Sequence, residues 1–267
     1  MADPVLSITT PNGRFYAHPK DRNRLVPSIT NVIAQKDKPA LKFWAARQCA
    51  EFAADNVDVI KALKRAEAID LVRGAPFRKG DVSANVGILV HEWVDEYAKK
   101  FVQGPVLDDV PEGFYEAPKT AQNMWQAFLT LNEKHPLHFV SSETTVWSDT
   151  HEYAGTLDWI ARVGGPDGPM VLGDTKTGKG VYPEVGMQLA AAENADYAFD
   201  ANGERYALPR FEKHAVMHLR PTFAKLLPIQ GSAQSFKAFL GLRAVFDWQI
   251  NYADNIIEYA PKLEVSS

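Results

Sequence analysis

The chain has 267 residues, 46% of them apolar, which suits one large domain or a core with an added helical part. Its net charge of −4 does not advertise a polyanionic partner, and no apolar run reaches the ~18 residues needed to cross a bilayer, so no membrane partner is expected. A single cysteine, Cys49, excludes an internal disulfide and any zinc or iron–sulfur cluster held by cysteines of this chain, and a reducing, cytoplasmic setting is the expectation.

The opening MADPVLSITT lacks a basic stretch followed by an apolar one, so no secretory leader is expected there. Through Pro27, FYAHPKDRNRLVP predicts short strands and turns. Ser28 can cap a short helix, SITNVIAQ. ALKFWAARQCAEFAADN follows with helical spacing, and VDVIKALKRAEAIDLVRG continues as helix to Gly74. RKGDVSANVGILVHEWVDEYAKKFVQG predicts an amphipathic helix with Val86, Val90, Trp93, Tyr97 and Phe101 on one stripe, stopped by Gly104 and Pro105. KTAQNMWQAFLTLNEKH is a further helix, ended near Pro136.

The pattern then changes. LHFVSSETTVWS, YAGTLDWIARV and PMVLGDTK have strand length and β-branched or aromatic content, with Gly- and Pro-rich turns between them. PEVGMQLAAAENADYAF reads as a helix, KHAVMHLRPT and AKLLPIQ as a strand pair, and SAQSFKAFLGLRAVFDWQINYADNI as a closing helix. The expected fold is a single α/β domain over 1–267. Residues 1–136 are mainly helical, and 137–267 run β-β-β-α-β-β-α. Charge divides unevenly along it. Residues 1–100 hold 16 Lys and Arg against 12 Asp and Glu, and the remainder 13 against 21. A basic first part suits phosphate contacts and an acidic second part suits a metal site, but drift in surface charge gives the same numbers.

GDTKTGKG, at 173–180, supports two readings. It matches the phosphate-binding pattern G-x-x-x-x-G-K-[S/T] at every position but the last. There the chain has Gly180 in place of the hydroxyl that holds Mg²⁺, and Pro183 delays the next helix. In the other reading Asp174 and Lys176, two apart, share one face of a strand end. Placing Val163 opposite Met170 brings Asp158 of the preceding strand against 174–176, on the same face if the register allows. Two carboxylates suit Mg²⁺ or Mn²⁺, and a nearby lysine can orient a water and offset charge on a phosphorane. Solvated charges at an exposed strand end are the bland alternative.

In order and spacing, VPSITNVIAQKDKPALKFWAA (27–46), GILVHEW, GTLD, GDTKTGK and MQLAA resemble the RecB-like branch of the PD-(D/E)XK nuclease superfamily, above all phage-encoded exonucleases. The resemblance covers roughly residues 15–255. It implies a restriction-endonuclease-like core, a mixed central sheet flanked by helices. It implies a metal-dependent DNA exonuclease of phage recombination or replication, with a structure-specific endonuclease or a non-catalytic DNA-binding protein on the same fold as alternatives.

Residue by residue, it implies Asp158 and Asp174 as metal-binding carboxylates and Lys176 as the catalytic lysine. It implies His91 as a helix-borne metal ligand and the Thr175 backbone carbonyl as a further one. Gln188 would line the cleft, and Glu143 would contact metal or water. Gly87, one turn before His91, would leave open space beside it. A histidine at the edge of a helix stripe and an exposed strand glutamate are the alternatives for His91 and Glu143. The expected cofactor is Mg²⁺ or Mn²⁺, with neither an iron–sulfur cluster nor a nucleotide. The expected partners are DNA and a single-strand annealing protein. Asp174 stands where many relatives have Glu, and Ala192 stands where they have Tyr, which leaves DNA handling by that helix open. Lys36, Lys38, Lys42, Arg47, Lys61, Lys64, Arg65, Arg73, Arg78 and Lys79 are candidate phosphate contacts. Phe43 and Trp44 could stack on unpaired bases, though aromatics at helical spacing, Trp44 included, are more often core.

Overall fold

Short hairpins open the chain. In the computed structural model, strands β1 (Ser7–Thr10), β2 (Gly13–His18) and β3 (Asp21–Pro27) form an antiparallel meander. The structure describes residues 6–103, 110–200 and 202–257, without the side chains of 79 and 81–83. Gly13 closes the first hairpin with φ +97°, a conformation that costs glycine little. Ser28 then caps α1 (Ile29–Ile33), its hydroxyl accepting from the Asn31 amide at 3.0 Å.

Four helices follow α1: α2 (Pro39–Asp55), α3 (Val57–Ala62), α4 (Arg65–Arg73) and α5 (Ala75–Gln103). The continuous helix expected over 57–74 is broken. Leu63 and Lys64 are extended, and the Glu67 carboxylate accepts from the Lys64 amide at 3.1 Å, starting a new helix. The expected stop at Gly104 and Pro105 lies outside the described residues. Helix α6 (Lys119–Lys134) leads into β4 (Leu137–Ser148), β5 (Tyr153–Val163) and β6 (Met170–Lys176).

Helix α7 (Glu184–Glu193) is shorter than expected, and the helix does not run to Phe199. Asp196 instead takes the Thr150 amide at 2.7 Å, and the chain turns into β7 (Tyr197–Phe199), which pairs with β4. After β8 (Arg205–Tyr206), β9 (Lys213–Arg220) and β10 (Phe223–Ile229), helix α8 (Ala233–Asn251) closes the fold. Two short strands, β7 and β8, were therefore missing from the expected order.

The fold is α/β, with a seven-stranded mixed sheet of order β10-β9-β6-β5-β4-β7-β8. Only β6 and β9 run parallel. One face packs on α1, α7 and α8 through Val32, Leu172, Leu189 and Phe239. The other packs on α5 and α6 through Val90, Trp93, Trp125, Phe128 and Trp159. Each such fully buried side chain contributes about 1.5–3 kcal/mol. The α5 stripe lies in this second core: Val90 and Trp93 are buried, and Val86, Tyr97 and Phe101 pack against them.

Two glycines of the sequence motifs serve this packing. A Cβ on Gly155 would lie 2.6 Å from the Ile29 side chain, and one on Gly173 would lie 2.0 Å from the Trp159 indole. They let α1 and Trp159 approach the strands that carry the candidate site. No helix among the described residues is long and apolar enough to cross a membrane.

Candidate active site

Strands β5 and β6 pair from Arg162↔Met170 to Trp159↔Gly173. This is one residue away from the register that sets Val163 opposite Met170. Continued by one step, it sets Asp158 opposite Asp174. The strands part there. Leu157 packs in one core and Trp159, two residues on, in the other, so the alternation of β5 slips at Asp158. The Thr175 amide, beyond the last pair, donates to Asp158 Oδ2 at 2.7 Å.

Asp174 and Lys176 share the α7 face of β6. Lys176 Nζ donates to Asp174 Oδ1 at 2.8 Å and lies 3.4 Å from Gln188 Oε1. Gln188 Nε2 donates to the same Asp174 oxygen at 2.7 Å. Asp174 Oδ2 is buried and makes no hydrogen bond, although Lys176 Nζ is 2.7 Å away. From the other side of the sheet, α5 brings His91 Nδ1 to 3.5 Å from Asp158 Oδ2. His91, Asp158, Asp174, Thr175, Lys176 and Gln188, spread over nearly a hundred positions, thus meet at one place.

Burial raises both aspartates above the ordinary carboxylate range. The Asp158 charge raises Asp174 further, and Lys176 opposes both shifts. Burial lowers His91 to about 4, with Asp174 pulling the other way. The imidazole is therefore neutral at neutral pH, the form that ligates metals. Glu143 is pushed up to about 7 by burial, then by Asp158 and Asp95, while Lys99 opposes. Its φ of +46° is uncommon for a side-chain-bearing residue, and it lies in β4 between the Ser142↔Trp159 and Thr144↔Leu157 pairs, level with Asp158.

The space beside Gly87 is not open. A Cβ there would meet Thr177 Oγ1 at 2.7 Å, so Gly87 admits the segment after β6 against α5. Sequence reasoning also missed Asp95 and Lys99. They follow His91 at four-residue intervals on one face of α5, a spacing that was available to find them. Asp95 accepts from Ser142 at 2.6 Å and pairs with Lys99 at 2.5 Å. Two further residues missed, His218 and Arg220 on β9, hold the Gly178 and Thr177 carbonyls at 2.9 and 2.6 Å.

GDTKTGKG is thus a strand end and a turn. Gly173 lies within β6 against Trp159, and no helix begins at Lys179, because α7 starts at Glu184. A cavity of about 760 Å³ lies away from this cluster, between α6 and β10, with no acidic residue in its lining.

A hard divalent cation fits the donor chemistry. One buried carboxylate, Asp174, and one largely covered, Asp158, face a single ammonium, one carboxylate oxygen has no hydrogen bond, and the imidazole beside them is neutral. Among the described residues, no three His, Cys, Asp and Glu side chains are already gathered as a ligand set.

The candidate phosphate contacts scatter over the helical part. Lys36 pairs with Glu184 of α7 at 2.7 Å, Lys42 with Asp37, Arg47 with Glu51 and Arg73 with Asp70. Arg78 lies over the Phe52 ring and donates to the Leu71 carbonyl. The side chain of Lys79 lies outside the described residues. Trp44 is half-buried and belongs to neither main core, contrary to expectation, because α2 packs on other helices and not on the sheet. Phe43 is exposed. No family model and no curated protein matches the chain.

Proposed function

We propose that the chain is a metal-dependent DNA exonuclease on a RecB-like PD-(D/E)XK core, of the kind phages use in recombination or replication. In this reading β4, β5, β6 and α7 are the nuclease core, and α5 completes it. The observation that carries the reading is the convergence of Asp158, Asp174 and Lys176 from two strand ends, with Gln188 and His91 closing on them from two helices.

Asp158, Asp174, His91 and the Thr175 carbonyl are the groups that would hold Mg²⁺ or Mn²⁺. When bound, such an ion polarises a phosphate and acidifies a water. The chain's own residues supply the rest. Lys176 Nζ, held by Asp174 and Gln188, is placed to orient an attacking water and to offset charge building on the phosphate. Gln188 fixes the Asp174 carboxylate and so keeps both groups in one arrangement. The neutral His91 adds no positive charge that would compete for the carboxylates. Asp174 is buried and Asp158 is largely covered, which limits how far solvent screens these interactions.

The test is end-labelled linear DNA beside covalently closed DNA, each with Mg²⁺, Mn²⁺ or EDTA. Progressive loss of linear DNA that EDTA abolishes, with closed circles spared, is expected. Cutting of closed circles would assign an endonuclease. DNA binding without cleavage under any of the three conditions would overturn the enzymatic reading.

A further inference from the structure

We infer that the helical lobe between Lys36 and Lys79 is a docking surface for single-stranded DNA, which would deliver an unpaired end to the site described above. Only the delivery rests on the nuclease reading. The binding stands by itself.

The lobe is poorly buried for its size. Helix α2 buries only Gln48, and α3 and α4 bury nothing. Large apolar side chains stand in solvent instead: Phe43 is 76% and Phe77 70% exposed, with Leu41, Val59 and Ile69 also outside. Apolar side chains exposed together with cations on helices that bury so little of themselves are what an interaction face would present.

Charge selects the partner. Residues 36–79 carry ten Lys and Arg against six Asp and Glu, so +4 in a chain of −4 overall. The partner is therefore anionic. Three of these cations sit in exposed pairs, Lys42–Asp37, Arg47–Glu51 and Arg73–Asp70, which water screens and which yield to a phosphate. Aromatic rings amid such cations suit a polyanion with open base faces, because bases stack on rings only when unpaired.

Position supplies the third argument. One end of the lobe is fastened beside the site and the other runs into the helix that carries His91. At one end Lys36 pairs with Glu184 at 2.7 Å, and the Lys38 charge also acts on Glu184. That carboxylate opens α7, one turn before Gln188. At the other end the lobe continues into α5, where Gly87 meets Thr177 one turn before His91. A strand lying on the lobe therefore has its end beside the carboxylates.

The test is fluorescence anisotropy in EDTA with labelled oligothymidylate of about 20 nucleotides, longer than the ~4–16 nucleotides such grooves cover. A blunt duplex hairpin is the comparison. The parent is set beside Phe43→Ala/Phe77→Ala and Lys38→Glu/Lys61→Glu/Arg65→Glu, with circular dichroism and solution mass on each. The parent should prefer the single strand. Loss of each ring should weaken binding about tenfold, and the charge reversals should also flatten its salt dependence.

Equal affinity of parent and folded variants for oligothymidylate overturns the inference, and so does equal affinity of the parent for the duplex. A change in solution mass with unchanged DNA binding would make the lobe a contact between copies, and also overturns it. Cleavage assays on the same proteins separate the two readings. A parent that cuts nothing but binds through the lobe removes the nuclease and leaves the surface. Variants that bind and cut like the parent do the reverse.

Discussion

Gly173→Ala decides whether GDTKTGKG is packing or phosphate cradle. The added methyl would sit 2.0 Å from Cε2 and Cζ2 of Trp159 and 2.2 Å from Cδ2, where ordinary contact begins at 3.4 Å. The indole would have to retreat by about 1.4 Å. It is fully buried, in contact with Phe139, and part of the core under α5 and α6, so it has nowhere to go. Overpacking of this kind typically costs about 1–3 kcal/mol, and a rigid ring with no exit belongs at the top of that range. A loss of about 3 kcal/mol corresponds to a Tm drop of roughly 6–12 °C for a chain of this size. Urea denaturation read by tryptophan fluorescence measures the loss directly. Trp159→Phe should recover part of it in the double variant, because the smaller ring vacates the volume. A Gly173→Ala protein as stable as the parent would refute the packing account, and a defect confined to nucleotide binding would restore the phosphate-loop reading.

Lys176→Ala should leave DNA binding largely intact while slowing single-turnover cleavage ~10²–10³-fold, the scale of one lost transition-state contact; cleavage at the parent's rate would remove Lys176 from the chemistry. Asp174→Asn should instead lose cleavage that excess Mn²⁺ partly restores, since it takes a charge from the metal donors; a defect indifferent to Mn²⁺ concentration would contradict that role. Glu143→Gln tests the raised carboxyl. With a folded value of about 7 against 4.5, the stability Glu143 contributes is present below about pH 4.5 and lost as pH rises through 7. The metal-free variant should therefore gain about 2 kcal/mol on the parent between pH 4 and pH 8, after discounting for partial exposure; a pH-independent difference in urea midpoints would sink it. DNA cleavage should proceed without ATP; nucleotide hydrolysis lost in Lys179→Ala would show the opposite.

Element types were legible because their signals are local. Strand length with β-branched and aromatic content marked β4, β5 and β6, and a 3.6-residue period marked the α5 stripe that packs Val90 and Trp93. The failures have physical causes too. Tyr197–Phe199 continued a helical pattern, and only Asp196 capping the 148–150 turn diverts it into a strand. The β5–β6 register was off by one because its connection uses Gly164 and Gly165 at φ +94° and +112°, a path no turn rule specifies. Trp44 has helical spacing like a core residue, but its helix packs on α3, α4 and α5 and not on the sheet itself.

By itself, the sequence determined that Asp174 and Lys176 share a strand face and that Gly180 replaces the hydroxyl of a nucleotide loop. Both follow from spacing within a few residues, where backbone geometry leaves no freedom. Tertiary structure alone decided that β5 and β6 part at Asp158, handing it the Thr175 amide, and that α5 lays His91, Asp95 and Lys99 along that opening. It also decided that the lobe, tied to Glu184 through Lys36, leaves Phe43 and Phe77 in solvent. Those outcomes depend on contacts between residues dozens to a hundred positions apart, and the packing of the whole sheet and its helices sets them.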